Sequence, residues 1–119
     1  MTIQEIMDAL NADLLTPGDD VTRDVHTACG SDMMSDVLAY VKDQAVLLTG
    51  LTNPQVIRTS SMMDMICVVF VRGKKPDDTI LALAKEMDIT VLATENTMFS
   101  SCGILYGLGL RGEQKASSV

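Results

Sequence analysis

The chain has 119 residues, and 47% of them are hydrophobic, which is typical of one globular domain with an adequate core. Its 16 acidic and 9 basic residues give a formal net charge of −7, which argues against nucleic acid or an anionic membrane as a partner. No apolar run approaches the roughly 20 residues of a membrane-spanning helix. The first ten residues carry acids where a secretion signal has a basic flank, so we expect a cytoplasmic protein.

The N-terminal quarter predicts a helix followed by two short strands. Thr2 and Glu5 match the capping box, in which each side chain satisfies a backbone N–H at the start of a helix. Apolar residues recur at helical spacing immediately after Thr2. Strands are predicted over residues 12–16 and 21–30, the second at an edge of the sheet or half-buried.

Residues 32–43 predict a second helix, which Ser31 is placed to cap. Adjacent methionines cannot both face inward on a helix, and adaptable Met side chains are common at contact surfaces. Loose packing of these methionines in the core is the alternative. Our hypothesis is a symmetric homodimer contact on this helix, formed by Met33, Met34, Val37 and Tyr40.

The remainder of the chain repeats one pattern three times. A β-branched, apolar run without alternation, as expected of a strand buried on both faces, is followed by turn residues and then by a helix. The predicted strands are residues 45–49, 66–71 and 89–93, and the predicted helices are residues 54–64, 76–88 and 97–110. Because strand–helix–strand connections are almost always right-handed, these strands should be parallel. We predict a three-layer α/β/α sandwich with a mainly parallel sheet of about five strands.

The strand ends explain where each helix begins. Gly50 and Gly73 follow two of the strands, and we expect both to adopt backbone dihedrals that other residues avoid. Pro54 and Pro76 are predicted at the first helical position, where no N–H partner is needed. The three strand exits should therefore gather at one edge of the sheet, the edge where open α/β sheets usually bind ligands.

This edge predicts a weak site for a small phosphorylated ligand or nucleotide. Helix N-termini offer free N–H groups and partial positive charge. The opposing interpretation is a set of self-capped turns, since Asp77, Asp78 and Glu95 place negative charge there. The candidate ligand-binding residues are Gly50, Thr52, Asn53, Gly73, Lys74, Lys75, Thr94, Asn96 and Thr97.

Four segments of the chain resemble the DRTGG domain, a small α/β module related to the N-terminal domain of HPr kinase/phosphorylase. They are SDMMSDVLAY, LLTGLTNPQVIR, VVFVRGKKPDDTILALAKEMDITVLAT and TMFSSCGILY. The resemblance extends from about Thr2 to Leu108, although the pentapeptide that names the family is missing. It implies a stand-alone member of the family, with a DRTGG-like domain over residues 1–110 and a flexible tail over residues 111–119.

The resemblance also implies an accessory role, because such modules in multidomain proteins look regulatory or dimer-forming while neighbouring domains carry the chemistry. We therefore predict a non-catalytic regulatory or interaction module that forms a homodimer, serves a partner enzyme and senses a phosphorylated ligand. A small phosphotransfer or hydrolytic enzyme is the alternative, with Asp77, Glu95 and Thr97 as its only candidates at the loop edge. An accessory subunit of a redox or metabolic complex is a further alternative.

The sequence predicts neither a metal nor a cofactor. Its three cysteines, Cys29, Cys67 and Cys102, form no Cys-x-x-Cys pair and are expected to act as small core residues. Asp32 and Asp36 share a helix face but lack the further oxygen ligands that a hard cation requires. The single histidine, His26, is expected on an exposed edge.

Overall fold

The structure is a computed structural model that describes residues 1–40 and 43–112. These residues form α1 (Ile3–Leu10), β1 (Asp13–Leu14), β2 (Thr27–Gly30), α2 (Met34–Val37), β3 (Ala45–Thr49), α3 (Pro54–Met62), β4 (Met65–Phe70), α4 (Asp78–Glu86), β5 (Thr90–Ala93), α5 (Met98–Gly107) and β6 (Arg111–Gly112).

The strands form one sheet in the order β1-β5-β4-β3-β2-β6. β2, β3, β4 and β5 pair in parallel, and β6 adds a two-residue parallel pairing to β2. Only β1, at the opposite edge, is antiparallel to its neighbour within the described part of the chain. The predicted fold class, a mainly parallel sheet between two helical layers, is confirmed.

Two hydrophobic clusters fill the spaces on either side of the sheet. α1 and α5 cover one face, and α2, α3 and α4 cover the other. β4 shows why the strands lack alternation, because Val69 faces the first cluster while Val68 and Phe70 face the second. Both kinds of position exclude water, so both are apolar.

The helix starts follow the predicted rules with one exception. Thr2 and Glu5 form the predicted capping box. Pro54 is the first residue of α3, directly after Asn53, whose side chain caps the helix. Pro76 instead lies before the capping residue of α4, Asp77, so its predicted position was wrong.

The second helix is much shorter than predicted. Only Met34–Val37 are helical, and Ser31 accepts a hydrogen bond from the Met33 N–H (2.9 Å) without occupying the capping position. Of the four helical residues only Val37 is fully buried, so tertiary packing supports a single turn. Residues 41–42 of the predicted helix lie outside the described residues.

The predicted tail also begins too early. Arg111 and Gly112 pair with Thr27 and Ala28 of β2, so these two residues belong to the sheet. Residues 113–119 lie outside the described part of the chain. Over the residues that are described, no helix is both long and apolar enough to cross a membrane.

Replacing Phe70 with alanine tests the two-layer core. Phe70 is fully buried on β4, and truncation of a buried Phe removes about 3–5 kcal/mol of unfolding free energy. Met62→Ala is the control, because Met62 is exposed at the end of α3 and a surface change costs about 0.5 kcal/mol or less. Urea denaturation of both variants measures the difference, and equal losses would contradict this packing.

Candidate functional site

The exits of β3, β4 and β5 meet at one edge of the sheet, as predicted, and we call this edge the rim. Main-chain hydrogen bonds join neighbouring exits. The Val71 N–H donates to Thr49 O (2.9 Å), and the Gly73 N–H donates to Thr94 O (3.0 Å). The rim is therefore a continuous extension of the sheet, and its loops hold one another in place.

Gly50 has a different role from the one predicted. Its φ is not positive, whereas Arg72 and Gly73 have φ values of 62° and 70°. A Cβ built on Gly50 would collide with the guanidinium group of Arg72. Gly50 is required because a side chain passes close to it, and the left-handed turn belongs to Arg72 and Gly73 in the next loop.

Asp32 is the rim residue whose role the sequence did not reveal. Its Oδ1 accepts hydrogen bonds from the Gly50 N–H (2.6 Å) and from Thr49 Oγ1 (3.2 Å). Its Oδ2 lies 3.6 Å from Nη2 of Arg72, and both side chains are a little under half exposed. Asp32 thus ties the exit of β2 to those of β3 and β4. The strand order brings Asp32, Gly50 and Arg72 together, so no local sequence pattern predicts the contact.

Several of the candidate ligand-binding residues already form hydrogen bonds within the domain. The Thr94 hydroxyl and the Asn96 amide both donate to Leu10 O, at 2.7 and 3.1 Å, and so fix the end of α1. Asn53 and Thr97 each cap their own helix by accepting a backbone N–H. Their side chains stabilise the rim itself.

The other candidates remain accessible. Thr52, Lys74 and Lys75 are exposed, and neither lysine forms an ion pair with any described residue. Lys75 borders a cavity of only about 30 Å³ next to Gly73 and Glu95. The rim therefore offers two exposed lysines next to exposed acids, with little enclosed space.

Two larger cavities flank β2. One, of about 280 Å³, lies between β2 and α5, and the other, of about 460 Å³, lies between β2 and Tyr40. They share the lining residues Ala28, Gly30 and Gly112. Sequence analysis missed both cavities, because they form where the short β6 meets β2.

Two of the three candidate catalytic side chains cap helices. Asp77 caps α4 by accepting the Ile80 N–H (3.0 Å), and Thr97 caps α5 by accepting the Ser100 N–H (3.3 Å). The Glu95 carboxylate lies beside Gly73, where an added Cβ would be 2.5 Å from Oε2. In the described ranges, no cluster of three or more His, Cys, Asp or Glu side chains is arranged to hold a metal.

The cysteines and the histidine lie in ordinary environments. Burial raises the pKa of the Cys67 thiol to about 12, and it also raises the pKa of the Cys102 thiol. Both are therefore neutral thiols at physiological pH. His26 Nδ1 lies 3.1 Å from a carboxylate oxygen of Asp43, and both side chains are exposed.

The predicted dimer contact on α2 needs one correction. Val37 is 0% exposed and packs in the core, so it is not available at the surface of this fold. Met34 is half-buried against the same core cluster. Only Met33 and Tyr40 of the four candidates are exposed.

Two helical layers around a parallel sheet, with a hydrogen-bonded rim, define a small α/β sandwich domain. The chain belongs to the DRTGG domain family, since the family model matches residues 5–106. The predicted family is thereby confirmed. A search of curated proteins found no significant match.

A solved structure shares the fold. It is the regulatory region of a Clostridium perfringens pyrophosphatase, comprising CBS and DRTGG domains, in complex with its activator diadenosine tetraphosphate. The TM-score is 0.74 at 18% identity, over 99% of this chain and 52% of that chain. The present chain thus spans about half the length of that regulatory region, and the similarity establishes the fold.

Replacing Asp32 with asparagine tests whether this residue ties the strand exits together. The variant loses the charge beside Arg72 and weakens the bond from the Gly50 N–H, so we expect it to lose about 1–2 kcal/mol of unfolding free energy. Asp36→Asn is the control, because the nearest described hydrogen-bonding contact of the Asp36 carboxylate is the Ser31 hydroxyl at 3.5 Å. Chemical denaturation measures both, and equal effects would refute the special role of Asp32.

Proposed function

We propose that this chain is a non-catalytic regulatory and protein-interaction module that acts as a homodimer. The observation that carries the proposal is the exposure of α5. This helix contains no charged residue, yet Phe99 is 88% exposed and Tyr106 is 60% exposed. A helix that is apolar on all sides is normally buried, so α5 has the composition of a helix with a partner on its outer face.

The outer face of α5 has a shape that favours a second helix. Ser100, Gly103 and Gly107 follow one another at helical spacing on the side opposite the buried Leu105. A Cβ built on Gly103 or Gly107 would meet no atom within 4 Å. Large apolar side chains border this narrow groove of small residues, so another helix can approach the groove closely and cover them.

The distribution of charge favours a second copy of the same chain. α1 lies on one side of α5 and exposes Glu5 and Asp8, whereas Arg111 lies on the other side, at the β6 edge. A two-fold axis running along α5 places the Arg111 side of each copy over the α1 side of its partner. Two molecules that each carry a net charge of −7 can then meet through an uncharged centre, with opposite charges facing each other on its two sides.

The oligomeric state tests this proposal. We expect sedimentation velocity to show a dimer at protein concentrations of about 1–100 µM, which is the order of magnitude of common dimer dissociation constants. Phe99→Glu should weaken it at least about tenfold, because a buried charge without a partner opposes association. Gly103→Leu should do the same while leaving the monomer folded, since its side chain has open space in the monomer.

Met33→Glu is the matched control, because Met33 is exposed on α2 in the other helical layer. If only Met33→Glu dissociates the dimer, the interface lies on α2, as the sequence suggested. A monomer at every concentration would remove the homodimer from the proposal.

We also infer that the rim binds a small phosphorylated ligand through Lys74 and Lys75. α3 and α5 both begin at this rim without an acidic residue in their first turn, which leaves the partial positive charge of the helix starts available to an anion. The activator in the Clostridium perfringens complex supports a nucleotide as the class of ligand.

Calorimetry with adenine nucleotides, including diadenosine tetraphosphate, tests this second proposal. We expect a signal that weakens at least about fivefold when Lys74 and Lys75 are both replaced by glutamine, and that weakens further with salt. Lys85→Gln is the control, because Lys85 lies in the last turn of α4, away from the helix starts. No heat at millimolar nucleotide would refute ligand binding at the rim and would leave the dimer proposal untouched.

An enzymatic function remains the alternative class, as a small phosphotransfer or hydrolytic enzyme at the rim. Such an enzyme needs an acid, base or nucleophile that is free to react, whereas Asp77 and Thr97 are committed to capping their helices. Glu95 is the one candidate without a capping bond among the described contacts. A binding role for the rim requires none of these groups, and this supports the module over the enzyme.

A further inference from the structure

We propose that the cavity between α5 and β2 is a binding site for a small amphiphilic anion. The hydrocarbon part of the ligand occupies the cavity, and its carboxylate or phosphate group contacts Arg111 at the mouth. This site is separate from the rim and adds a second class of ligand to the proposed module.

The walls of the cavity are almost entirely apolar. Its lining consists of Ala28, Gly30, Leu48, Cys102, Leu105, Tyr106, Leu110, Arg111 and Gly112. Glycine keeps the opening clear at Gly30, where a Cβ would lie 2.8 Å from Sγ of Cys102. Burial keeps that thiol neutral by raising its pKa, so Cys102 adds no charge to the walls.

Arg111 is held in one orientation at the mouth. Its Nη1 donates to Tyr106 O (2.8 Å) and Leu110 O (3.1 Å), and its guanidinium lies 3.9 Å from the centre of the Tyr106 ring. Nη2 and Nε have no acceptor, and no carboxylate pairs with Arg111, among residues 1–40 and 43–112. A fixed guanidinium with free donors suits a planar or tetrahedral oxyanion.

Among residues 1–40 and 43–112, no carboxylate pairs with Arg111, although acids outnumber bases by 16 to 9 in the chain. Here the cation instead stands beside an apolar space of about 280 Å³. A cation at the mouth and apolar walls inside the cavity together favour an amphiphilic anion as the ligand.

The walls favour a hydrocarbon over a nucleobase. A base would bury several ring nitrogens and exocyclic groups, and side-chain partners on the lining residues are limited to the Cys102 thiol, the Tyr106 hydroxyl and the Arg111 guanidinium at the mouth. Unsatisfied buried polar atoms oppose binding, whereas methylene groups gain from leaving water. The space is sufficient, since an apolar cavity of about 150 Å³ already holds benzene.

Three eight-carbon probes test the proposal when used below the concentrations at which they form micelles. They are octanoate, octyl phosphate and octanol, which share a chain and differ in the head group. By calorimetry, at least one of the two anions should bind about tenfold more tightly than octanol. The tighter of the two anions identifies the head group as carboxylate or phosphate. Amide NMR should place the largest shifts at the lining residues.

Two kinds of variant separate the head-group contact from the cavity. Arg111→Gln should remove the preference for an anion and leave octanol binding unchanged. Cys102→Leu should weaken all three probes by filling the space. Gly112→Leu provides a second blocked variant at an exposed position, in case Cys102→Leu fails to fold. Lys74→Gln, which alters the rim, should change none of these affinities.

Several results would overturn the proposal. Octanol binding as tightly as both anions would identify a non-specific apolar space, and undiminished anion binding by Arg111→Gln would remove the role of Arg111. Absence of binding at millimolar probe, or shifts confined to the rim, would eliminate the site. Sedimentation velocity of Arg111→Gln without a probe measures the dimer separately, because Arg111 also lies on one flank of the proposed dimer contact.

Discussion

The parallel pairing of β2, β3, β4 and β5 is the constraint on which the rest of the structure depends. Because both faces of these strands are covered by helices, their side chains must be apolar at nearly every position. Because they run in the same direction, all four strands end at one edge. The positions of the helix starts, the rim and the cavities beside β2 follow from this arrangement.

The polar groups at the rim serve the fold first. Thr94 and Asn96 secure the end of α1, and Asp32 joins three strand exits through Gly50 and Arg72. Side chains that look available in the sequence are therefore engaged within the domain. This leaves the surface cations and the main chain available to the proposed ligand of the rim, a pattern that suits recognition better than catalysis.

Features that point outward lie along α5. α5 presents uncharged side chains to solvent on its outer face, and its inner face forms one wall of the cavity that opens at Arg111. One short helix thus takes part in both the proposed dimer contact and the proposed ligand site. Such proximity suits the proposed regulatory module, because a ligand that shifts an element also shifts the surface that this element offers to a partner.

The sequence alone determined the family, the fold class and the starts of α1 and α3, marked by Thr2 and Pro54. These signals are local, since caps, apolar runs and turn residues act over a few positions. The predicted backbone role of Gly50 and the predicted length of α2 were wrong, because the close approach of Arg72 and the burial of Val37 depend on distant segments. Only the tertiary structure decided which polar groups are already bonded and where cavities lie, because packing brings together residues that are far apart in the chain.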